Sequence, residues 1–302
     1  MTIGVFDGIH VGHQTLLERL AVLGEDFNLP SVLMMFEPQP QEVLPFLVTP
    51  ARLTPFREKI CALAGTAVDR VLCVRFDQKF AALPAVKFVE EILVAGLGAR
   101  HVVVGDDFRF GRGAVGDNEL LRELGVEHGF EVHRRDTYRV AGDRVSSTRI
   151  RNALAIGQLD TAAELLGRRY AISGRVHHGR ELGRTIGFPT ANLPLRRKVS
   201  PLSGVFAVHV RLLEEDRVWG GVANIGVRPT VDGETRLLEV HLFGFSGDLY
   251  GRHLQVEFLA KLREERKFDS VDALQAQIER DAEAARAAFV RFPAGRSRGA
   301  AG

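Results

Sequence analysis

Long apolar runs are missing from this chain of 302 residues. No stretch reaches the roughly 18–20 apolar residues that a membrane span requires, and no signal peptide precedes the first motif, so a cytoplasmic protein is expected. Cysteine is scarce. Cys61 and Cys73 lie in separate apolar segments without C-x-x-C spacing, which argues against a disulfide framework and reads both as reduced core residues. Charge of one sign is scarce as well: a formal net charge of +2 leaves no broad nucleic-acid footprint. The clusters Arg134-Arg135, Arg168-Arg169 and Arg196-Arg197-Lys198 read as solvated faces. Neither nucleic acid nor membrane is expected as a partner. What remains, 45% hydrophobic and 26% charged, is ordinary for a globular chain long enough to hold two domains with separate cores.

Glycine and histidine, by contrast, are concentrated at the start, in Gly4-Val5-Phe6-Asp7-Gly8-Ile9-His10-Val11-Gly12-His13. An apolar stub, Met1-Thr2-Ile3, leads into it. Residues 14–23 follow as a predicted amphipathic helix with Leu16, Leu17, Leu20 and Leu23 on one stripe and Gly24 placed to end it. A strand, a glycine-interrupted turn and a helix N-terminus direct free N–H groups and the helix dipole at one spot, which makes an anion site. Gly4, Phe6 and Gly12 are its candidate phosphate-binding residues. Histidines at its mouth, His10 and His13, can donate to phosphate oxygens that gain charge as a bond breaks. Read alone, the pair is also open to being half a metal site or a helix-start surface; no Cys, Asp or Glu cluster beside it completes a zinc ligand set.

Strands predicted at 32–36, 71–74 and 101–104 alternate with helices at 84–97 and after Thr54-Pro55, where Thr54 is the expected N-cap. Repeated β-α-β with apolar strands predicts a doubly wound parallel sheet, a Rossmann-like α/β domain. Ligands bind such sheets beyond the carboxyl ends of the strands. That edge collects the first turn, Glu37-Pro38-Gln39-Pro40, and Gly105-Asp106-Asp107-Phe108-Arg109-Phe110-Gly111. Phe108 and Phe110 can stack on a flat ring system and Asp107 can accept from ribose hydroxyls; the other reading is a turn whose phenylalanines anchor it to the core. A hairpin at 140–145, turning at Ala141-Gly142-Asp143, leads to Ser146-Ser147-Thr148-Arg149-Ile150-Arg151. These hydroxyls form a helix cap, or they close on a triphosphate with Arg151 countering its charge.

An Ala/Leu-rich helix at 152–166, ended by Gly167-Arg168-Arg169, sets the expected border: domains at 1–168 and 169–292, with a disordered tail at 293–302. Beyond the border the pattern alternates. Strands at 170–176, 204–212, 218–225, 237–243 and 254–262 predict a small antiparallel β-barrel, closed by a helix at 270–289 with Val271, Leu274, Ile278, Ala285 and Phe289 on one face. In the stretch from Gly174 to Asn192, Gly174, Gly179, Gly183 and Gly187 allow backbone to approach phosphates, although no G-K-[ST] follows. Thr190 and Asn192 offer hard oxygen ligands for an Mg²⁺ ion shared with ATP. His177-His178 read as loop residues.

Together these segments resemble the bacterial bifunctional riboflavin kinase/FMN adenylyltransferases, also called FAD synthetases. The resemblance is carried by Gly4 to His13, Gly105 to Gly111, Ser146 to Arg151, Gly174 to Asn192 and Gly221-Val222-Ala223-Asn224-Ile225-Gly226-Val227-Arg228-Pro229-Thr230. It implies riboflavin phosphorylation to FMN in the C-terminal domain and adenylylation of FMN to FAD plus pyrophosphate in the N-terminal one. ATP, riboflavin and FMN are then the substrates, and Mg²⁺ the cofactor. By the same resemblance, His10, His13 and Arg151 serve adenylyl transfer, with Ser146, Ser147 and Thr148 on the phosphates and Asp107, Phe108, Arg109 and Phe110 on the flavin. Glu239 becomes the base for the flavin 5′-hydroxyl. Three departures stand out: Gln39 where the family usually has His, Val231 for an aromatic, and a first strand of at most four residues. The alternatives are a riboflavin kinase whose first domain is impaired by that short strand, and a flavin- or nucleotide-binding regulator without turnover.

Overall fold

The computed structural model describes residues 1–44, 49–179, 187–195, 199–215, 217–230 and 233–293, with the backbone alone at 227–230 and 233–235. Gly183, Arg196-Arg197-Lys198, Val231 and the tail from 294 onward lie outside the described residues. By contacts the chain divides into two units, Met1–Ser147 and Thr148–Gly302.

The first unit is built on a five-stranded parallel sheet, in the order β3-β2-β1-β4-β5, from β1 (Thr2–Ile3), β2 (Val32–Glu37), β3 (Arg70–Arg75), β4 (His101–Gly105) and β5 (Glu131–Arg135). The two-residue β1 is central and pairs with both neighbours, Thr2 with Leu33 and with Val103, so the short strand still joins the sheet. Side chains alternate across the sheet. Met34, Val102 and Val104 face a cluster with Phe88, Leu93, Leu121 and Leu124. Leu33 and Met35 face the other way, against Leu17 and Leu63. Both faces are therefore covered, as continuous apolar strands require.

The helices are α1 (Val11–Asp26), α2 (Pro40–Val43), α3 (Phe56–Ala64), α4 (Gln78–Ala81), α5 (Ala85–Lys87) and α6 (Asn118–His128), with a π-helical stretch at Phe88–Gly96. Several boundaries differ from expectation. Gly24 does not end α1; a Cβ there would meet Leu29 O at 2.8 Å, so glycine serves the close return of the chain instead. Thr54 is not the N-cap of α3, a position taken by Pro55, because its hydroxyl is used in a long-range contact described below. Cys61 and Cys73 are exposed rather than core, Cys73 because β3 is an edge strand whose outer positions face solvent.

The second unit carries a six-stranded antiparallel sheet in the order β8-β13-β10-β11-β12-β9. Its strands are β8 (Ala171–Arg175), β9 (Ala191–Pro194), β10 (Gly204–Leu212), β11 (Val218–Thr230), β12 (Gly233–Leu242) and β13 (His253–Arg263), numbered after the hairpin strands β6 (Arg139–Val140) and β7 (Asp143–Arg144) of the first unit. β9 is absent from the sequence expectation. A bridge between His177 and Asn192 links the two ends of this order, which makes the sheet a near-barrel. The expected single helix at 152–166 is two, α7 (Ser147–Ala155) and α8 (Leu159–Leu166), broken at Gly157 with φ 78°. Their buried side chains, Ile150, Leu154, Leu159 and Leu165, belong to the second unit, where α8 packs on β13. An amphipathic helix cannot bury its apolar stripe alone, and these two do so within the second unit.

The C-terminal helix α9 (Val271–Arg291) starts at Ser270, whose Oγ accepts from Ala273 N at 3.1 Å. Ala282 and Ala285 are buried on the barrel, and Gly220 makes room for the Phe289 ring, which a Cβ would meet at 2.6 Å. Asp281 is buried with Arg263, which donates through Nε at 3.0 Å and Nη2 at 2.8 Å. Val271 is 61% exposed and takes no part in that face.

Candidate functional site

The chain leaves β1 through a turn in which Phe6, Gly8 and Ile9 all have positive φ, at 50°, 87° and 44°. Such a conformation is unfavourable for Phe and Ile, so the surroundings must hold it. They do so through Asp7, which is 1% exposed and accepts from Leu53 N at 2.9 Å and Thr54 N at 3.0 Å, while Gly8 N donates to Thr54 Oγ1 at 2.9 Å. Lys59, 1% exposed, donates from Nζ to Val5 O at 2.7 Å. Burial pushes its pKa down, and the Asp7 carboxylate pulls the other way. Ser147 Oγ donates to Asp7 O at 2.8 Å, which ties the start of α7 to this turn.

At the end of the turn His10 caps α1, its Nδ1 accepting from His13 N at 3.2 Å. The rings of His10 and His13 stack with centroids 3.6 Å apart and planes 14° apart, and Phe6 lies 4.7 Å from the His13 ring. Burial first, then His10 and Lys59, hold the His13 pKa well below its usual value of 6.5. His13 is thus a neutral imidazole at neutral pH, and its Nδ1 is buried with no hydrogen-bond partner among the described residues. The arrangement presents a fixed ring pair, a helix N-terminus and glycine backbone to an anion. A close Cβ at Gly12 would meet His10 at 3.3 Å, and at Gly4 would meet Phe6 at 2.8 Å, so these glycines make room for the rings.

The depressed His13 pKa has a stability consequence. The unfolded state, titrating near 6.5, binds more protons than the native state below that pH, so stability is complete above about 6.5 and falls as pH falls. His133 in the same unit is shifted in the same direction, by burial and by His101. The unfolding temperature of the first unit is expected to drop between about pH 7.5 and 5.5, with a shallower slope in His13→Gln. An unchanged slope in that variant, followed by calorimetry, would contradict the assignment.

Other expected residues are distributed around the sheet edge. Asp107 pairs with Arg144, and Arg109 with Asp117 at 3.4 Å. Phe108 and Phe110 stack at 5.6 Å. Phe110 is 6% exposed, sits in the sheet core and leaves no room for a side chain at Gly116, while Phe108 is half-buried and packs against the same core. Gln39 is buried, and its N donates to Glu42 at 2.8 Å. Arg151 and Thr148 lie on α7 in the second unit.

In the second unit three strands align a polar row. Glu239 of β12 is the register partner of both Asn192 on β9 and Asn224 on β11. Register partners of adjacent strands project to one face. Asn192 is 6% exposed, and a Cβ at Gly179 would lie 2.3 Å from its Nδ2, so the loop glycine backs directly onto this amide. Asn224 Oδ1 is buried with no hydrogen-bond partner among the described residues, while its Nδ2 donates to Glu265 at 3.5 Å. His241, two residues from Glu239 on the same face, lies 2.9 Å from Pro189 O through Nδ1 and packs against Phe188 at 5.3 Å. His177 N donates to Asn192 O at 2.8 Å, and His178 stacks on Tyr250 at 3.7 Å. Gly174 packs on Leu193 and Gly187 has φ 83°.

Sequence reasoning did not single out Lys59, Thr54 as an Asp7 partner, or Asn224. Lys59 had a signal, a lysine set next to the apolar face that Ile60 and Leu63 define.

The comparisons agree with this two-part geometry. A family model described as FAD synthetase matches residues 1–149, and one described as riboflavin kinase matches residues 166–289. The chain is 54% identical over 289 residues to the bifunctional riboflavin kinase/FMN adenylyltransferase of Escherichia coli strain K12, covering 96% of this chain and 92% of that protein. It is 50% identical over 287 residues to the protein of the same name from Pseudomonas fluorescens, with 95% and 91% covered. A crystal structure described as a macrolide-efflux protein from Streptococcus pneumoniae matches with a TM-score of 0.81 at 33% identity, over 94% of this chain and 93% of that one.

Proposed function

We propose, from the premise that this chain belongs to the family of bifunctional riboflavin kinase/FMN adenylyltransferases, which residues carry each of its two reactions. The chain phosphorylates riboflavin to FMN with ATP, and joins FMN to the AMP part of a second ATP with release of pyrophosphate. The impaired kinase and the regulator without turnover are not favoured.

For adenylyl transfer, an oxygen of the FMN phosphate attacks the α-phosphorus of ATP and the bond to the pyrophosphate oxygen breaks. No covalent enzyme intermediate is needed, so positioning and charge stabilisation are the protein's contribution. His10 and His13 would donate N–H bonds to the oxygens that gain charge, from rings already fixed by stacking. Gly4, Phe6 and Gly12 shape the turn that receives the phosphates. Ser146, Ser147, Thr148 and Arg151 would add hydroxyl bonds and counter-charge. Asp107, Phe108 and Arg109 would hold the flavin, with Phe110 supporting Phe108 from the core.

For phosphorylation, Glu239 would accept the 5′-hydroxyl proton of riboflavin as its oxygen attacks the γ-phosphorus and ADP leaves. Gly174, Gly179, Gly183 and Gly187 would let backbone approach the phosphates. The residues present fit an Mg²⁺ ion: Thr190 and Asn192 supply hard oxygens, and the orphaned Asn224 Oδ1 lies on the same polar row. That ion, when bound, neutralises phosphate charge. The single observation that carries the kinase reading is the row Asn192, Glu239, Asn224 across three strands.

No helix among the described residues is long and apolar enough to cross a membrane; we place the enzyme in the cytoplasm, the compartment of its phosphorylated substrates. A time course with riboflavin and ATP tests the two-step reading: FMN rises first, FAD follows, and one pyrophosphate appears per FAD. FMN supplied directly with ATP and giving no FAD would remove adenylyl transfer. Gly179→Ala must displace the Asn192 amide, so FMN formation at subsaturating ATP is expected to fall at least about tenfold while FAD formation from supplied FMN is unchanged. Unchanged FMN formation in that variant would remove Asn192 from the ATP site.

A further inference from the structure

We propose that His101, Glu131 and His133 form a transition-metal site on the first unit, at the strand edge opposite the phosphate turn. His101 and Glu131 are the first residues of adjacent parallel strands β4 and β5 and are partners in register, and His133 follows Glu131 by two. Strand alternation therefore projects all three to one face. They are the group of three among the described residues whose histidine, cysteine or carboxylate donor atoms converge.

The geometry is that of a coordination triangle. His101 Nδ1 and His133 Nε2 are 3.1 Å apart, and Glu131 Oε2 lies 3.5 Å from the first and 3.6 Å from the second. A point equidistant from these three atoms is about 2.0 Å from each, which matches the metal–nitrogen and metal–oxygen distances of zinc sites at about 2.0–2.2 Å. His101 and His133 hydrogen-bond each other at 3.1 Å, but the two carboxylate distances are too long for hydrogen bonds, so the approach of Glu131 to both rings is not explained by direct bonding. Phe27, just after α1, stacks on the His101 ring at 4.0 Å and fixes its plane.

Two imidazoles and one carboxylate select a borderline divalent ion such as Zn²⁺, Cu²⁺ or Ni²⁺ over Mg²⁺, which prefers oxygen. Three protein ligands leave a position for water, and the Glu131 side chain, 68% exposed, opens the site to solvent. Arg19 is a cation felt at His133 and opposes a bound ion. A bound ion would join β4 to the edge strand β5 and stabilise the first unit by mass action.

Zinc titration of the full chain, read by calorimetry and by imidazole nitrogen NMR, tests this. One Zn²⁺ is expected per site, with the largest resonance changes at His101 and His133. Glu131→Gln and His133→Gln are each expected to weaken zinc binding at least about tenfold. Glu131 is exposed, so its variant keeps the fold, which FAD formation from supplied FMN with Mg²⁺ and ATP verifies by remaining at the parent rate. Zinc binding undiminished in both variants, resonance changes confined to His10 and His13 or to His177 and His178, or no uptake of zinc at all would each overturn the proposal.

Discussion

His13→Ala is expected to cut FAD formation from FMN and ATP by about 10²–10³-fold, while FMN formation from riboflavin stays within about twofold of the parent rate. The size follows from removing a preorganised donor aimed at charge that develops during transfer. The His13 ring is fixed by three neighbours before any ligand arrives: His10 stacked at 3.6 Å, Phe6 at 4.7 Å, and the helix it opens. Its Nδ1 is buried with no hydrogen-bond partner among the described residues, and burial lowers its pKa, so the neutral ring has a hydrogen-bonding atom to spare for the proposed transfer. Separation of flavins by chromatography reads both products from one reaction. Because the alanine also leaves a cavity beside Phe6, His13→Gln serves as a second variant that retains volume and a donor. Alanine and glutamine variants that both form FAD at the parent rate would exclude the ring from the transfer step.

The second large effect is expected at Glu239. Glu239→Gln should lower FMN formation by about 10²–10⁴-fold, the range for loss of a general base, and leave FAD formation from supplied FMN intact. The amide keeps the shape of the side chain and its place between Asn192 and Asn224, so lost activity reports lost basicity. Unfolding measured alongside separates a folding defect from a chemical one. Both activities falling together in a folded Glu239→Gln would mean that the two reactions do not have separate sites.

The parts of the fold written in local patterns were legible. Alternating strands such as His253–Arg263 announce themselves by period, the apolar run of β2 by its composition, and the turn at Ala141-Gly142 by its glycine. β9 escaped because its four residues sit in a glycine-rich stretch with no alternation of their own, and it is a strand only because β12 is there to pair with it. Gly157 hid inside an Ala/Leu-rich stretch that reads as one helix, although its φ of 78° breaks it in two. At the sites, histidines and glycines close in sequence were visible as a group. The Asp7–Thr54 contacts span 47 residues, and the row from Asn192 through Glu239 to Asn224 exists only through strand register. Cys61 and Cys73 mislead for a related reason: an apolar segment indicates that one face is covered, and these two thiols are on the other.

Lys59 is sealed from solvent, with its ammonium tied to Val5 O at 2.7 Å. The positive charge behind the glycine turn is therefore part of the framework and does not swing in from a mobile surface arm. A polyphosphate docking at the turn, as proposed, would meet a field whose solvation penalty was met during folding, and no cation would have to shed water or lose rotamers at that moment. On that proposal, recognition of the nucleotide is prepared when the chain folds.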